Sequence, residues 1–376
     1  MTPSEQRRPI HLLFVGDTAL KRTLVDDSTD CSVSDLFDPW WTALTTSHHL
    51  AVANLEAPLA GARPALEKAV ALISSPDRAA VLKRAGFGLV SIANNHIRDA
   101  GCEGLADTVT ALDRASVMHV GIESREAPRG VSVTLEGRRL LFLAASSDGR
   151  DEHGYRILPT DATILVPIVS SAARTHEDVI VLLHWGIEHA EFPRPDQRVL
   201  ARALIDAGAR AIVGSHPHRI QGIEHHAGRP IFYSLGDFQF PRLEENAAIR
   251  QEDLGVAVSL CIRENDETSY DLIPVRIDPE GRPRAPETND QAVLARLLSR
   301  RSRALRLAYG RPRWYSEAAP LYLKGNAAAF RLRLRKFGPS HLVPLMRWLV
   351  SGMFLGAVAG LILRRLGVGL VSEDDR

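Results

Sequence analysis

The chain has 376 residues, enough to bury a large core as one big domain or two smaller ones. Its 46 Lys and Arg residues balance 45 Asp and Glu residues, and the formal net charge of +1 argues against nucleic acid as a partner. The cysteines at positions 31, 102 and 261 lie far apart, which argues against both a disulfide framework and a thiolate zinc site.

The first part of the chain alternates short apolar runs with helical patterns, which is typical of an α/β layered fold. No apolar stretch of signal-peptide length follows the N-terminus, so we predict no export signal. Strands are predicted at 11–15, 51–53, 89–93 and 117–121, and helices at 35–47, 77–85 and 105–115.

The middle of the chain begins with an antiparallel pattern. Residues 130–135 and 139–144 flank Glu136-Gly137-Arg138, which predicts a hairpin. Beyond it, helices are predicted at 161–175 and 197–207, and strands at 179–183, 211–213, 230–234, 255–261 and 270–277.

The character of the sequence changes near residue 288, where we place a boundary after a first domain of residues 1–287. Residues 288–341 form a basic helical region, and residues 342–376 form an apolar C-terminal segment. Gly352, Gly356 and Gly360 recur at the spacing that closely packed membrane helices use. A bilayer core requires ~20 apolar residues in a helix, and the apolar stretch is of that length, so it is a candidate membrane anchor. The alternative is a buried helix or a hydrophobic docking surface.

Polar side chains with metal-ligand chemistry follow several predicted strands: Asp17, Glu56, Asn95 with His96, His184, His216 and His218. Sites in open α/β sheets form beyond the carboxyl ends of the strands, where these residues would meet. Carboxylate, amide and imidazole groups together suit Mn, Fe or Zn. Six or seven ligands exceed the needs of one tetrahedral ion, so two ions that share a carboxylate fit better. Each residue taken alone also has a structural interpretation, as a turn former or a core histidine.

These residues belong to six motifs, which occur in the order VGD (15–17), NLE (54–56), ANNHIRDAG (93–101), HWGIE (184–188), GSHPHRIQ (214–221) and SLGDF (234–238). Over residues 10–260 the chain thereby resembles the CapA family of poly-γ-glutamate capsule synthesis proteins, which is related to calcineurin-like metallophosphoesterases. The resemblance implies a four-layer metallophosphatase-like β-sandwich flanked by helices, here with a helical C-terminal extension.

The resemblance also implies roles for individual residues. His96 would protonate or stabilise the leaving group, with Asp99 and Glu188 orienting it or a ligand histidine. Glu56 would be the carboxylate that bridges two divalent ions. The implied metal ligands are Asp17, Glu56, Asn95, His184, His216 and His218.

The chain departs from the family pattern in four places. The phosphoesterase DxH motif is here Asp17-Thr18-Ala19, so one imidazole ligand is missing. The bridging position holds Glu56 rather than Asp, Asp237 replaces the usual Asn, and His189 replaces an aromatic residue. The family's anchor is often N-terminal with the catalytic domain outside the cytoplasm. Here the apolar segment is C-terminal and basic residues precede it, which predicts the cytoplasmic face of the membrane.

The predicted function is that of a CapA-like, metal-dependent protein of hydrolase or phosphoesterase type, acting in synthesis of poly-γ-glutamate, capsule or a related acidic polymer. Its expected partners are an acidic polymer or phosphorylated substrate and, through the C-terminal segment, a membrane and a membrane synthase complex. One alternative is a general metallophosphoesterase on a small or lipid-linked phosphate. The other is a non-catalytic assembly or export subunit of a polymer synthase.

Overall fold

The structure is a computed structural model, and it describes residues 8–21, 32–61, 70–123, 130–149, 151–152, 155–241, 253–264, 267–306, 310–338 and 342–366. The strands are β1 (Ile10–Thr18), β2 (Leu50–Leu55), β3 (Phe87–Ser91), β4 (Met118–Val120), β5 (Val131–Leu135), β6 (Arg138–Ser146), β7 (Asp151–Glu152), β8 (Tyr155–Arg156), β9 (Asp178–His184), β10 (Ala211–Ser215), β11 (Ile223–His226), β12 (Arg229–Phe232), β13 (Asp237–Gln239), β14 (Leu254–Ile262), β15 (Thr268–Ile277) and β16 (Pro283–Arg284). The helices are α1 (Val33–Leu36), α2 (Pro39–Thr45), α3 (Arg78–Arg84), α4 (Gly101–Arg114), α5 (Ala162–Ala172), α6 (Pro195–Asp206), α7 (Asp290–Arg306), α8 (Arg311–Phe337), α9 (Leu342–Leu349) and α10 (Gly352–Arg365).

Two mixed sheets carry the fold. The first has the order β16-β15-β14-β1-β2-β3-β4, with β13 also paired to β1, and the second has the order β11-β12-β10-β9-β6-β5. Strands β1 to β4 run parallel to one another, as do β6, β9, β10 and β12. Parallel strands end at the same edge of a sheet, so the residues that follow them are gathered there.

The sheets pack face to face, and helices cover their outer faces. Along β6 and β9, side chains alternate between two apolar clusters, as the pleat of a strand requires. Phe142 and Ile180 lie in the cluster shared with the first sheet, whereas Leu143 and Val181 pack with side chains of α5 and α6. Each fully buried side chain of this kind stabilises the fold by about 1.5–3 kcal/mol. The predicted four-layer α/β sandwich is confirmed.

Most predicted elements lie where the apolar pattern placed them, including the hairpin of β5 and β6. Its turn residues Glu136 and Gly137 both have positive φ, at 46° and 73°, as a tight hairpin turn needs. The predicted helix 35–47 is wrong as one element. Asp38-Pro39 divides it into α1 and α2, because proline lacks an N–H and Asp38 caps the second helix by accepting from Trp40 N at 2.9 Å.

The C-terminal extension does not form one long helix. Leu294 and Leu298 of α7 join the main core, and the predicted apolar segment is divided into α9 and α10, with the Ser351 hydroxyl accepting from Phe354 N at the start of α10. Gly356 and Gly360 lie directly against Tyr315 of α8. Throughout the described ranges we find no helix with the length and apolar character needed to cross a bilayer.

Candidate metal centre

The candidate site lies at the carboxyl ends of β1, β2, β9 and β10 and in the segment that follows β3. Asp17 is the penultimate residue of β1, His184 ends β9, and Glu56 follows β2 directly. The segment after β10 brings His216 and His218 to the same place. Side chains from both sheets therefore meet at one end of the sandwich, as the strand-end pattern predicts.

The first group of converging donor atoms belongs to Glu56, His184 and His216, whose ligand atoms lie within 4.8 Å of one another. His184 Nε2 is 3.4 Å from Glu56 Oε1. The amide oxygen of Asn95 lies 2.8 Å from the same His184 nitrogen. Oxygen and imidazole donors from four chain segments thus lie close together.

The second group belongs to Asp17, His218 and Asp237 and is equally tight. His218 Nδ1 lies 2.7 Å from Asp237 Oδ1 and 3.4 Å from Asp17 Oδ2. The two aspartates are brought together because β13 pairs with β1 in parallel, with Asp17 opposite Asp237.

Glu56 connects the two groups, since its Oε1 also lies 3.8 Å from His218 Nε2. Its side chain is fully buried, and neither carboxylate oxygen has a hydrogen-bond partner within the described chain. A buried carboxylate without donors is costly, and burying it next to a cation removes that cost. The residues present therefore fit a divalent cation on either side of Glu56.

The pKa values of the buried acidic residues also favour a bound cation. Burial raises the pKa of Asp17 to about 6, with Asp237 adding to the rise while His218 opposes it. Burial and the Asp17 carboxylate also raise the pKa of Glu56. For His218, burial alone would lower the pKa, but Glu56 and Asp237 hold it well above its usual value. Without a cation, the site therefore holds buried carboxylates whose raised pKa values favour the protonated forms.

His216 behaves in the opposite way, because burial lowers its pKa to about 4. Its imidazole is therefore neutral at neutral pH, which is the form that binds a metal. Its backbone has φ of 96°, and that of His218 has φ of 52°, both in the left-handed region. Such strain persists only where surrounding contacts impose it, and it is common at functional sites.

His96 lies next to the donor groups with one ring nitrogen already engaged. Its Nδ1 is 2.6 Å from Asp99 Oδ2, which also accepts from Leu72 N at 2.8 Å. Asp99 is completely buried, and the Asn94 carboxamide oxygen accepts from the backbone N–H groups of His96 and Ile97. This fixes the ring and leaves Nε2 as the nitrogen available to a substrate.

Two residues of the site were not predicted. Asn54 donates to Asp17 Oδ1 at 2.8 Å and lies 3.2 Å from His184 Nδ1, so it orients a member of each donor group. Asp237 was noted only as a departure from the family pattern. Both lie inside quoted motifs, and only the register of β1 with β2 and β13 shows that they belong here.

The predicted ligands Asp17, Glu56, Asn95, His184, His216 and His218 all lie within this cluster, and His96 and Asp99 form one pair. Glu188 lies near His216 and His218, and these two histidines lower the pKa of its carboxylate. At the position of the missing histidine of the DxH motif, Ala19 is fully buried in an apolar cluster with Leu72 and Phe240.

The C-terminal extension braces the two segments that carry the histidines. Arg301 of α7 is almost fully buried, donates to the Ile220 carbonyl and contacts Glu191 Oε1 at 3.1 Å. Trp314 of α8 donates to the Phe192 carbonyl at 2.9 Å. Helices α7 and α8 therefore contact the segments that follow His184 and His218.

Comparison with known proteins agrees with the motif pattern. A family model described as "Bacterial capsule synthesis protein PGA_cap" matches residues 11–242. The chain belongs to this family. The PGA biosynthesis protein CapA of Bacillus subtilis is 29% identical over 274 residues, covering 70% of each chain. The capsule biosynthesis protein CapA of Bacillus anthracis is 31% identical over 231 residues, covering 58% of this chain and 54% of the relative.

Among solved structures, a phosphatase from Mycoplasma pneumoniae is similar to this PGA_cap chain with 10% identity and a TM-score of 0.46, covering 74% of this chain and 96% of its own. A likeness this weak says nothing about the chemistry of the site.

Proposed function

We propose that this protein is a metal-dependent enzyme of hydrolase type that acts in the synthesis of poly-γ-glutamate, capsule or a related acidic polymer. The observation that carries the proposal is Glu56, which lies between two groups of imidazole and carboxylate donors. Its carboxylate is fully buried and has no hydrogen-bond partner in the described part of the chain. The relatives named for capsule and poly-γ-glutamate biosynthesis support the polymer context.

Two divalent ions, of Mn, Fe or Zn, are proposed for the two donor groups. Glu56, His184, His216 and the Asn95 amide would hold one of them, and Asp17, His218 and Asp237 the other, with Glu56 between them. Such ions act as Lewis acids on a phosphoryl or carbonyl oxygen and lower the pKa of water. The mixed oxygen and nitrogen donor set suits these borderline metals better than magnesium.

The chain's own residues supply the proton chemistry and the positioning. His96 would donate a proton to the leaving oxygen from Nε2, since Nδ1 is held by Asp99 at 2.6 Å. Asp99 would keep the imidazole in the correct tautomer and orientation. Asn54 would hold Asp17 and His184 in position through its amide.

A phosphate ester of a small molecule or lipid is the second candidate substrate. The His96–Asp99 pair is compatible with it, because a leaving ester oxygen, like a leaving amide nitrogen, needs a proton from such a donor. An amide or ester of the polymer remains the substrate of the first candidate. The two differ in product: inorganic phosphate is released only from the second.

Metal analysis tests the proposal most directly. We expect about two transition-metal ions per chain after reconstitution of the purified protein, and about one or fewer in His218→Ala, because that variant loses a donor of one group. Val199→Ala, a substitution at an exposed residue of α6, serves as the control. Protein that holds no transition metal, even after reconstitution, would overturn the metal-dependent function.

Activity assays separate the candidates. Hydrolysis of a generic aryl phosphate with added manganese, lost in Asn95→Ala, supports phosphoesterase chemistry. In a producing cell, we expect His96→Ala to abolish polymer formation. Full polymer production by that variant would refute a catalytic role and favour an assembly or export subunit.

A further inference from the structure

The segment that contains α9 and α10 exposes several large apolar side chains that no described part of the chain covers. There are six of them, each between 39% and 72% exposed. We call the surface that they form the outer face; it consists of Met346, Val350, Leu355, Val358, Ile362 and Leu366. Exposed apolar residues are common singly, but a row of them on adjoining helices indicates a contact surface.

The outer face follows from the way α10 packs. Gly356 and Gly360 are in contact with Tyr315 of α8, and a Cβ added at either glycine would lie within about 2.5 Å of that residue. At 3.6 residues per turn, Leu355 and Ile362 then point away from α8. The glycines at the spacing of membrane helices thus pack against another helix of the same chain. The face of α10 that carries Leu355 and Ile362 is exposed.

The charge of the same region is strongly one-sided. Residues 310–366 contain ten Arg and Lys residues and a single acidic residue, Glu317, although the whole chain is nearly neutral. Arg331, Arg335, Arg347 and Arg365 are exposed on these helices. The last ten residues add three acidic residues and one arginine, so the C-terminal region remains basic.

We propose that the outer face is a docking surface for an anionic membrane, with α10 lying in the plane of the lipid headgroups rather than crossing the bilayer. Its 14 residues span roughly 21 Å as a helix, less than the roughly 30 Å of a bilayer core. Apolar side chains enter the acyl boundary while the surrounding arginines contact lipid phosphates. This inference does not depend on the proposed reaction.

Charge also decides against a second copy of the chain as the occupant. Two copies that met through their outer faces would bring two strongly basic segments together, which is unfavourable at low salt. Anionic lipid offers apolar acyl chains and neutralising phosphates at the same time. The combination of an apolar row and a basic surround therefore fits a lipid surface better than a copy of itself.

Vesicle flotation of the full-length protein tests the proposal. We expect binding to vesicles of equal parts phosphatidylglycerol and phosphatidylcholine, weakened by salt, and little binding to pure phosphatidylcholine. Leu355→Glu with Ile362→Glu is expected to weaken binding about tenfold or more. The control is Val199→Glu, since Val199 is an exposed apolar residue (69%) on α6, and this variant should bind as the wild type does.

Other outcomes overturn the proposal. Wild-type protein that does not float with anionic vesicles contradicts it, as does equal binding by the double variant. A dimer in analytical ultracentrifugation that the double variant dissociates, without vesicle binding, would make a second copy the occupant. Arg347→Glu with Arg365→Glu tests the charge alone, and it keeps the proposal testable if the first variant does not fold. Circular dichroism checks that each protein is folded.

Discussion

Asp17 is expected to reduce the stability of the metal-free protein, so that Asp17→Asn stabilises it. Its carboxylate is fully buried beside Asp237 and near Glu56, and its pKa is raised from 3.8 to about 6. At about 1.4 kcal/mol per pKa unit, this rise is worth about 3 kcal/mol against the ionised form. That figure already includes the hydrogen bonds from Asn54 and the His216 N–H, which lower the pKa.

The effect has a definite pH dependence. The folded state holds the proton of Asp17 more tightly than the unfolded chain does. Protonation of Asp17 therefore stabilises the fold fully below pH 3.8, and this stabilisation is lost as the pH rises past about 6. The difference between wild type and Asp17→Asn is therefore about 3 kcal/mol at pH 7.5 and roughly half of that at pH 5. At roughly 2 °C per kcal/mol, Tm should rise by about 6 °C at pH 7.5.

Thermal unfolding in EDTA, measured by circular dichroism at pH 5 and pH 7.5, checks this value. Asp178→Asn is the control, because Asp178 is equally buried but lies between Arg138 and Arg210, at 2.9 Å and 2.6 Å. Its removal leaves two buried cations and should lower Tm at both pH values. Added manganese should raise the Tm of wild type more than that of Asp17→Asn, because the variant lacks a proposed ligand. If Asp17→Asn destabilises the EDTA-treated protein as Asp178→Asn does, the electrostatic argument is wrong.

Three further changes test other parts of the site. Glu56→Gln should weaken manganese binding at least about tenfold, measured by calorimetry, while the metal-free protein stays folded, because the amide removes a buried charge. Asp99→Asn should lower kcat about 10–100-fold and alter the pH–rate profile at unchanged metal content, since His96 loses its carboxylate partner. Arg301→Met should lower the free energy of unfolding by about 2 kcal/mol in urea, because Glu191 and the Ile220 carbonyl lose a donor.

Each of these expectations has a result that contradicts it. Unchanged manganese affinity in Glu56→Gln would remove Glu56 from the ligand set. Loss of bound metal in Asp99→Asn would mean that Asp99 supports the fold of the site rather than orienting His96. Wild-type stability of Arg301→Met would show that α7 does not hold the two histidine segments in place.

The residues of the candidate site could be predicted because polar residues at strand ends interrupt an otherwise apolar pattern. Asp17, Glu56 and His184 each come at the end of a buried apolar run. The carboxyl ends of parallel strands lie at the same edge of a sheet, so these residues are brought together there. The same local logic succeeded for the hairpin at Glu136-Gly137 and failed at Asp38-Pro39, where a proline overruled an apolar helical pattern.

The C-terminal segment shows the limit of composition. Its apolar residues and glycine spacing are equally compatible with a membrane span and with a helix packed on a neighbour. The contact of Gly356 and Gly360 with Tyr315, and the break at Ser351, depend on α8, which no local pattern reveals.

By itself, the sequence determined the layered fold, the family and the set of strand-end residues with metal-ligand chemistry, since periodicity and ordered motifs are properties of the chain alone. The tertiary structure decided which of those side chains share a donor group, and it added Asn54 and Asp237. It also showed that Glu56 is a buried carboxylate between the two groups, without a hydrogen-bond partner among the described residues. The physical reason is that strand register and burial arise only when the two sheets pack together. A buried carboxylate without hydrogen bonds is costly, and a bound cation removes that cost.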